Sequence, residues 1–239
     1  VAMVVVGVAT TILFGLVGAR LMNLSRTFGV LSGGAVAICG VAAALAIASV
    51  LPRTQESERD TILAVVTVTA LSTLAMIAYP LWVGWLGFDH RDAGIILGGT
   101  IHDVAQVVGA GYMVSPETGD IATYVKMLRV AMLLPVVLVI AFVLARAGSG
   151  ERRQATLLPV FLVGFAALVV INSTGLIPKP AVDGITDISR WCLVTAIAAL
   201  GMKTSFKALV KVGWRPVGLM VAETAWIAAV VLVAVLWFV

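Results

Sequence analysis

Apolar runs long enough to cross a lipid bilayer follow one another through this chain. A helix needs about 20 apolar residues to span the hydrocarbon core. Because 61% of the 239 residues are hydrophobic and only 12% are charged, no stretch is left for a separate soluble domain of ordinary size. The sequence predicts one transmembrane domain over residues 1–239, with about eight crossings at 1–19, 32–51, 61–79, 94–113, 121–145, 156–175, 186–202 and 216–238.

The crossings are expected to be α-helices. In lipid only helices and closed barrels satisfy every backbone hydrogen bond, and these runs lack the alternation of barrel strands. Two of them, "SGGAVAICG" (32–40) and "GGTIHDVAQVVGAG" (98–111), concentrate glycine near polar residues. Such stretches indicate broken helices, as in transporters, or close helix packing, and for the first stretch both interpretations stay open. We predict an all-α polytopic bundle with discontinuous helices.

Lysine and arginine are distributed unevenly over the two sides of this arrangement. Four lie on one side and ten on the other, and basic loops face the cytoplasm. The net charge of +4 does not indicate nucleic-acid binding, because the basic residues are dispersed among short loops. The side predicted to be cytoplasmic carries Arg20, Arg26, Arg91, Arg146, Arg152, Arg153, Lys203, Lys207, Lys211 and Arg215.

Three polar residues fall inside the fourth predicted crossing. On a continuous helix His102 and Gln106 are one turn apart, and Asp103 lies three residues before Gln106, so all three share one broad face. A charged group at mid-membrane costs at least about 2.5–3.5 kcal/mol. The pattern therefore predicts a face turned to the bundle interior with a functional role, and a buried pair that only fixes helix packing is the alternative.

Two cations, Lys126 and Arg129, follow in the next crossing. They are three residues apart and share a helix face. Either they reach back to the outer headgroups or they point inward, and the inward orientation is favoured because Arg129 lies about 4.5 Å deeper along the helix. Pointing inward, they would pair with Asp103 or bind an oxyanion, which suits a guanidinium beside an ammonium.

The remaining candidates are weaker. Glu223 is a second candidate for a buried carboxylate, but its place about two turns from Arg215 favours an interfacial residue. Cys39 and Cys192 lie in apolar segments and are interpreted as packing residues. The chain has no G-x-S-x-G, no H-E-x-x-H and no Cys/His cluster of zinc spacing, so no enzyme activity, cofactor or metal is predicted.

Taken in order, several stretches resemble the YeiH-type family, whose members are bacterial multi-pass inner-membrane proteins described as sulfate exporters. The His-Asp block followed by Val-Lys-x-x-Arg (125–129) is the most specific part. The resemblance covers essentially the whole chain and corresponds to the C-terminal two-thirds of a member, so we expect the family's N-terminal spans to be absent here. The stretches that carry it are 34–52, 75–81, 98–111, 124–138, 158–173 and 196–204.

The chain departs from the pattern of this family in one place. The family usually has a serine soon after the Cys-Gly pair, and here Ala42 and Ala43 follow it. The resemblance also implies a relation to the bile-acid-symporter and cation/proton-antiporter superfamily, with inverted repeats and crossed, broken helices around a site at mid-membrane.

From this we hypothesise a secondary transporter that moves a small, sulfate-like anion across the bacterial inner membrane by alternating access. His102 and Asp103 would carry a coupling proton, and Gln106 would orient them. The anion would be bound by Lys126, Arg129, Gln106 and the backbone N–H groups near Gly33, Gly34 and Gly40.

Two other functions stay open. A cation/proton antiporter would use Asp103 as the ion ligand, and a passive channel or structural membrane subunit would use the polar patch only to hold helices together. The expected partners are the anion and the lipid bilayer, with a homo-oligomer left open and no nucleic acid.

Overall fold

The computed structural model describes residues 1–52, 54–146 and 214–238, with scattered positions between 164 and 195. Most of the crossings predicted at 156–175 and 186–202 lie outside the described residues. The all-α prediction is confirmed, since the described part is helical without strands. Its helices with defined bounds are α1 (Ala2–Leu21), α2 (Arg26–Ala37), α3 (Val41–Val50), α4 (Gln55–Trp85), α5 (His90–Thr100), α6 (Val104–Val114), α7 (Pro116–Ala131), α8 (Leu133–Arg146) and α9 (Trp214–Phe238).

Four segments of the described part are long and apolar enough to cross a membrane. They are Ala2–Leu21, Gln55–Trp85, Pro116–Leu144 and Trp214–Trp237. The third combines α7 and α8, which are separated by Met132 alone. Pro135 explains this interruption, because it has no N–H to donate to the carbonyl four residues earlier and its ring crowds that carbonyl.

Helix α4 is longer than the predicted crossing at 61–79, since it has 31 residues. It begins in the charged stretch because the Thr54 hydroxyl accepts a hydrogen bond from the Ser57 N–H at 3.0 Å and so caps the helix. A boundary drawn on hydropathy alone misses a helix start of this kind.

The two glycine-rich crossings are broken, as predicted. Helices α2 and α3 are separated by residues 38–40, and α5 and α6 by residues 101–103. In the first break Gly40 has a φ of 65°, which residues with a side chain rarely adopt. All residues in 31–40 and in 96–102 are buried, so both breaks lie inside the protein.

Glycines also let pairs of helices approach closely, so both interpretations of the first stretch apply. A methyl group built on Gly29 of α2 would lie 2.6 Å from the Gly15 carbonyl oxygen of α1. A methyl on Gly98 of α5 would overlap the Ala122 backbone of α7. These contacts are the small-residue packing typical of membrane helices, and they bring the two breaks within reach of α1, α7 and α9.

Candidate functional site

The two helix breaks lie against each other. A methyl group built on Gly40 would be 3.7 Å from the carbonyl oxygen of His102, and side chains from α7 contact both breaks. The site is therefore a crossing of two interrupted helices, where four helix ends meet inside the protein. Carbonyl groups at the ends of α2 and α5 and N–H groups at the starts of α3 and α6 have no partner within their own helices.

Lys126 joins the two breaks. Its Nζ atom donates to the carbonyl oxygens of Ile38 at 2.8 Å, of Ile101 at 2.9 Å and of His102. Three acceptors match the three hydrogens of an ammonium group. The side chain is fully buried, so its charge is stabilised by carbonyl groups at both breaks.

Arg129 satisfies the end of α2 and the end of α5 at once. Its Nε donates to Ala37 at 2.9 Å, and Nη2 donates to Val36 at 2.8 Å. Nη1 donates to Gly98 at 3.2 Å and to Ile101 at 3.1 Å. A cation at a helix C-terminus is favourable because the carbonyl end of the helix dipole is negative.

The inward orientation of Lys126 and Arg129 is thus confirmed, but neither forms an ion pair with Asp103 among the described residues. Their hydrogens go to the backbone instead, apart from one N–H of Arg129. Anion binding by these two residues stays a prediction, and in this geometry it would act through their charge more than through direct hydrogen bonds.

His102 does not lie on a helix, so the predicted helical face shared with Gln106 is wrong. Helix α5 ends at Thr100, and His102 belongs to the break. Its Nδ1 lies 3.1 Å from the Val36 carbonyl oxygen, and its Nε2 lies 3.1 Å from the Thr224 hydroxyl of α9. Because a carbonyl can only accept, Nδ1 carries a hydrogen, and the ring links the break to α2 and α9.

Asp103 caps α6. Its Oδ1 accepts hydrogen bonds from the N–H groups of Ala105 at 2.9 Å and Gln106 at 3.3 Å, and its own N–H donates to Ser72 of α4 at 3.0 Å. This is the ordinary geometry of an aspartate N-cap, which sequence reasoning missed by treating 94–113 as one helix.

The contribution of the Asp103 cap to stability can be tested by substitution. Asp103→Ala removes the acceptor and is expected to lower the free energy of unfolding by about 0.5–2 kcal/mol, whereas Asp103→Asn keeps an acceptor oxygen in the same place. Thermal unfolding of the detergent-solubilised variants measures the difference. Equal losses in both variants would mean that the negative charge, and not the cap, is what matters.

Gln106 contacts α4 and not His102. Its Nε2 donates to the Thr73 hydroxyl at 3.1 Å, while its Oε1 is buried without a partner among the described residues. The predicted role of orienting His102 therefore has no contact to support it here.

A narrow cleft opens beside the crossing, with a volume of about 10 Å³, which is room for about one water molecule. The N-terminus of α3 faces it, and no side chain caps that terminus. The cleft is lined by Gly40, Val41, Val68, Thr69, Ser72, Asp103 and Gln106.

The three glycines of the predicted anion site lie in different structural positions. Gly40 precedes α3 and lines the cleft, and its part in anion binding stays a prediction. Gly33 and Gly34 lie inside α2, where their N–H groups are part of the helix, and they leave room for Ile12 of α1 and Ile47 of α3. Helix α2 continues for three residues beyond the glycine pair, and the residue with positive φ in the break is Gly40.

Glu223 is buried and not interfacial, contrary to the sequence interpretation. It is 0% exposed, and its Oε1 lies 2.7 Å from the Ser32 hydroxyl of α2. The number of residues between Arg215 and Glu223 does not predict this burial, because the burial of Glu223 depends on which helices pack against α9. Ser32 and Thr224, which bind Glu223 and His102, carried no sequence signal of their own.

The described part thus defines a multi-pass helical membrane protein with two broken helices that cross in its interior. A family model described as "Conserved hypothetical protein 698" matches residues 1–220. The chain belongs to this family of UPF0324 membrane proteins, which is the YeiH-type family that its sequence resembles.

Several curated relatives match almost the whole chain. A UPF0324 membrane protein of Chlorobaculum tepidum is 57% identical over 99% of this chain and 67% of its own length. The UPF0324 membrane protein TauZ of Paracoccus pantotrophus is 50% identical over 97% of this chain and 69% of its own. No solved structure matches. The chain therefore spans about two thirds of the length of these relatives.

Proposed function

We propose that this protein is a secondary transporter of a small oxyanion of the sulfate type, acting by alternating access in the bacterial inner membrane. The observation that carries the proposal is the uncapped N-terminus of α3, which faces a cleft at the crossing of two broken helices. Broken helices whose N-termini point at an anionic group are a recurring feature of secondary transporters.

The start of α3 has the properties of an anion site. Amide hydrogens at a helix N-terminus lack helical partners, and the helix dipole places about half a positive charge there. The residue before the helix is Gly40, so no side chain covers these groups. Across the cleft, by contrast, the start of α6 is already occupied by the carboxylate of Asp103.

The charge around the crossing favours an anion over a cation. The N-terminal ends of α3 and α6 and the C-terminal ends of α2 and α5 contribute about half a charge each and cancel one another. The two positive charges of Lys126 and Arg129 then exceed the single negative charge of Asp103, which leaves a net positive charge at the crossing. This balance is the reason to prefer anion transport over cation/proton antiport at Asp103.

The small volume of the cleft agrees with alternating access, in which the site opens before the substrate binds. An oxyanion with several oxygens does not fit into the space of one water molecule, so the surrounding helices have to move apart before it binds. The proton-coupling role of His102 and Asp103 stays a prediction, because their observed contacts are those of a ring that links helices and of a helix cap.

A pair of substitutions at Val41 tests the anion site. Val41 is the first residue of α3 and lines the cleft, so Val41→Asp places a negative charge where the anion would bind, whereas Val41→Asn has nearly the same size and no charge. We expect sulfate binding to the purified protein, measured by calorimetry, to be lost in Val41→Asp and retained in Val41→Asn.

Counterflow of labelled sulfate into proteoliposomes separates the transport mechanisms. A transporter exchanges internal for external sulfate and saturates with concentration, whereas a channel does neither. Equal binding by the two Val41 variants would contradict the proposed site, and the absence of sulfate counterflow in the unmodified protein would contradict the proposed substrate.

A further inference from the structure

Glu223 lies where three helices meet, away from the cleft. Its carboxyl group fills the space that Gly15 of α1 leaves open, since a methyl group built on Gly15 would be 2.5 Å from Glu223 Oε1. On the other side Oε1 is bonded to the Ser32 hydroxyl of α2. The second oxygen, Oε2, is buried and has no hydrogen-bond partner among the described residues.

No cation is bonded to this carboxyl group in the described part of the chain. On α9 itself Arg215 lies two turns away. Two interior groups contact α9 on either side of this level: the ring of His102 binds Thr224, the residue after Glu223, and Arg129 lines a small pocket together with Ile227 and Val231. The other ionisable residues of the helices packed against α9 are Arg20, Arg26, Glu56, Glu58, Arg59, Asp60, Tyr79, His90, Arg91 and Asp92.

We propose that Glu223 is a proton-binding site of transport. A buried carboxylate without a bonded cation is very costly in an apolar interior, whereas the carboxylic acid fits the same space. When the contact between α1, α2 and α9 opens to one side of the membrane, a carboxylate oxygen forms an O–H bond with a proton from water. When it opens to the other side, that bond breaks and the proton returns to water.

The position of Glu223 also suggests how it communicates with the anion site. Thr224, the next residue, binds the ring of His102 in the second break, while Ser32 lies on α2, which leads into the first break. A movement of α9 against α1 and α2 therefore changes contacts at both breaks. This part of the inference rests on the proposed function, because coupling requires a transported substrate.

Labelling with a hydrophobic carbodiimide tests the proton site without any transport measurement. This reagent reacts with protonated carboxyl groups in apolar surroundings, so we expect mass spectrometry to find the adduct on the peptide that contains Glu223. Glu223→Gln should lose it, and Asp103, whose carboxylate accepts two N–H bonds, serves as the matched internal control. Absence of the adduct from Glu223 in the folded protein would overturn the proton site.

A second experiment tests coupling in proteoliposomes. An imposed pH gradient should drive sulfate accumulation by the unmodified protein, and Glu223→Gln should lose this accumulation while it keeps sulfate counterflow. Glu58→Gln, which makes the same change at an exposed residue of α4, should keep both. Accumulation by Glu223→Gln at the unmodified level would overturn the coupling role, whereas failure of counterflow in the unmodified protein would overturn the proposed function and leave the labelling result standing.

Discussion

Replacing Lys126 by methionine is expected to destabilise the protein strongly. The substitution keeps an unbranched side chain that is one atom shorter, but it removes the donor to Ile38 and His102 and leaves Ile101 with Arg129 alone. A buried carbonyl group without a donor costs about 1–3 kcal/mol, so we expect the free energy of unfolding to fall by about 2–5 kcal/mol. Thermal unfolding of the detergent-solubilised protein, followed by size-exclusion chromatography, measures this loss.

The matched control for Lys126→Met is Arg20→Met. Arg20 is exposed near the end of α1, so its removal also takes away one positive charge but no buried hydrogen bond. We expect this variant to unfold within a few degrees of the unmodified protein. If Lys126→Met were as stable as Arg20→Met, the carbonyl contacts of Lys126 would not be what holds the crossing together.

Gly98→Ala is expected to have the second large effect. The added methyl group would overlap the backbone of Ala122, whose Cα would be 3.0 Å away. Because the obstacle is backbone and not the end of a flexible side chain, α5 and α7 have to separate. Overpacking of this kind costs about 1–3 kcal/mol, and the separation would also lengthen the hydrogen bonds from Arg129 to the end of α5. The same unfolding measurement applies.

Gly84→Ala makes the same chemical change where there is room. Gly84 is an exposed residue of α4, and nothing lies within 4 Å of a methyl group built on it. Alanine favours a helix over glycine by about 1 kcal/mol, so this variant should be at least as stable as the unmodified protein. Equal stability of Gly98→Ala would argue against the close contact between α5 and α7.

The sequence predicts the course of the chain well and the contacts of its polar residues poorly. Hydropathy locates the described crossings because bilayer thickness determines helix length, and glycine identifies both breaks because close packing and unusual φ values depend on it. The prediction for His102 is wrong because α5 ends at Thr100, two residues before it. His102 therefore lies in the break between α5 and α6 and makes its contacts from there, and not from a helix face.

The hydrogen-bond partners of Lys126 and Arg129 could not be predicted for a different reason. They are backbone carbonyl groups of residues 36–38, about 90 positions earlier, of Gly98 in α5 and of residues in the second break. Carbonyl groups are present in every residue, so no letter in the sequence marks them as partners. Only the crossing of the two breaks identifies them. The burial of Glu223 likewise depends on the packing of α1 and α2 against α9, which the sequence does not reveal.

The three hydrogen bonds of Lys126 also restrict how the protein can move. One nitrogen atom contacts residues of both breaks, so these breaks cannot separate by more than a fraction of an ångström without losing a buried bond. The crossing and the part of α7 that carries Lys126 should therefore travel as one rigid body. A change that widens the cleft therefore involves α4, whose Thr69 and Ser72 line it, and such a change has to break the hydrogen bonds that Ser72 and Thr73 make with Asp103 and Gln106.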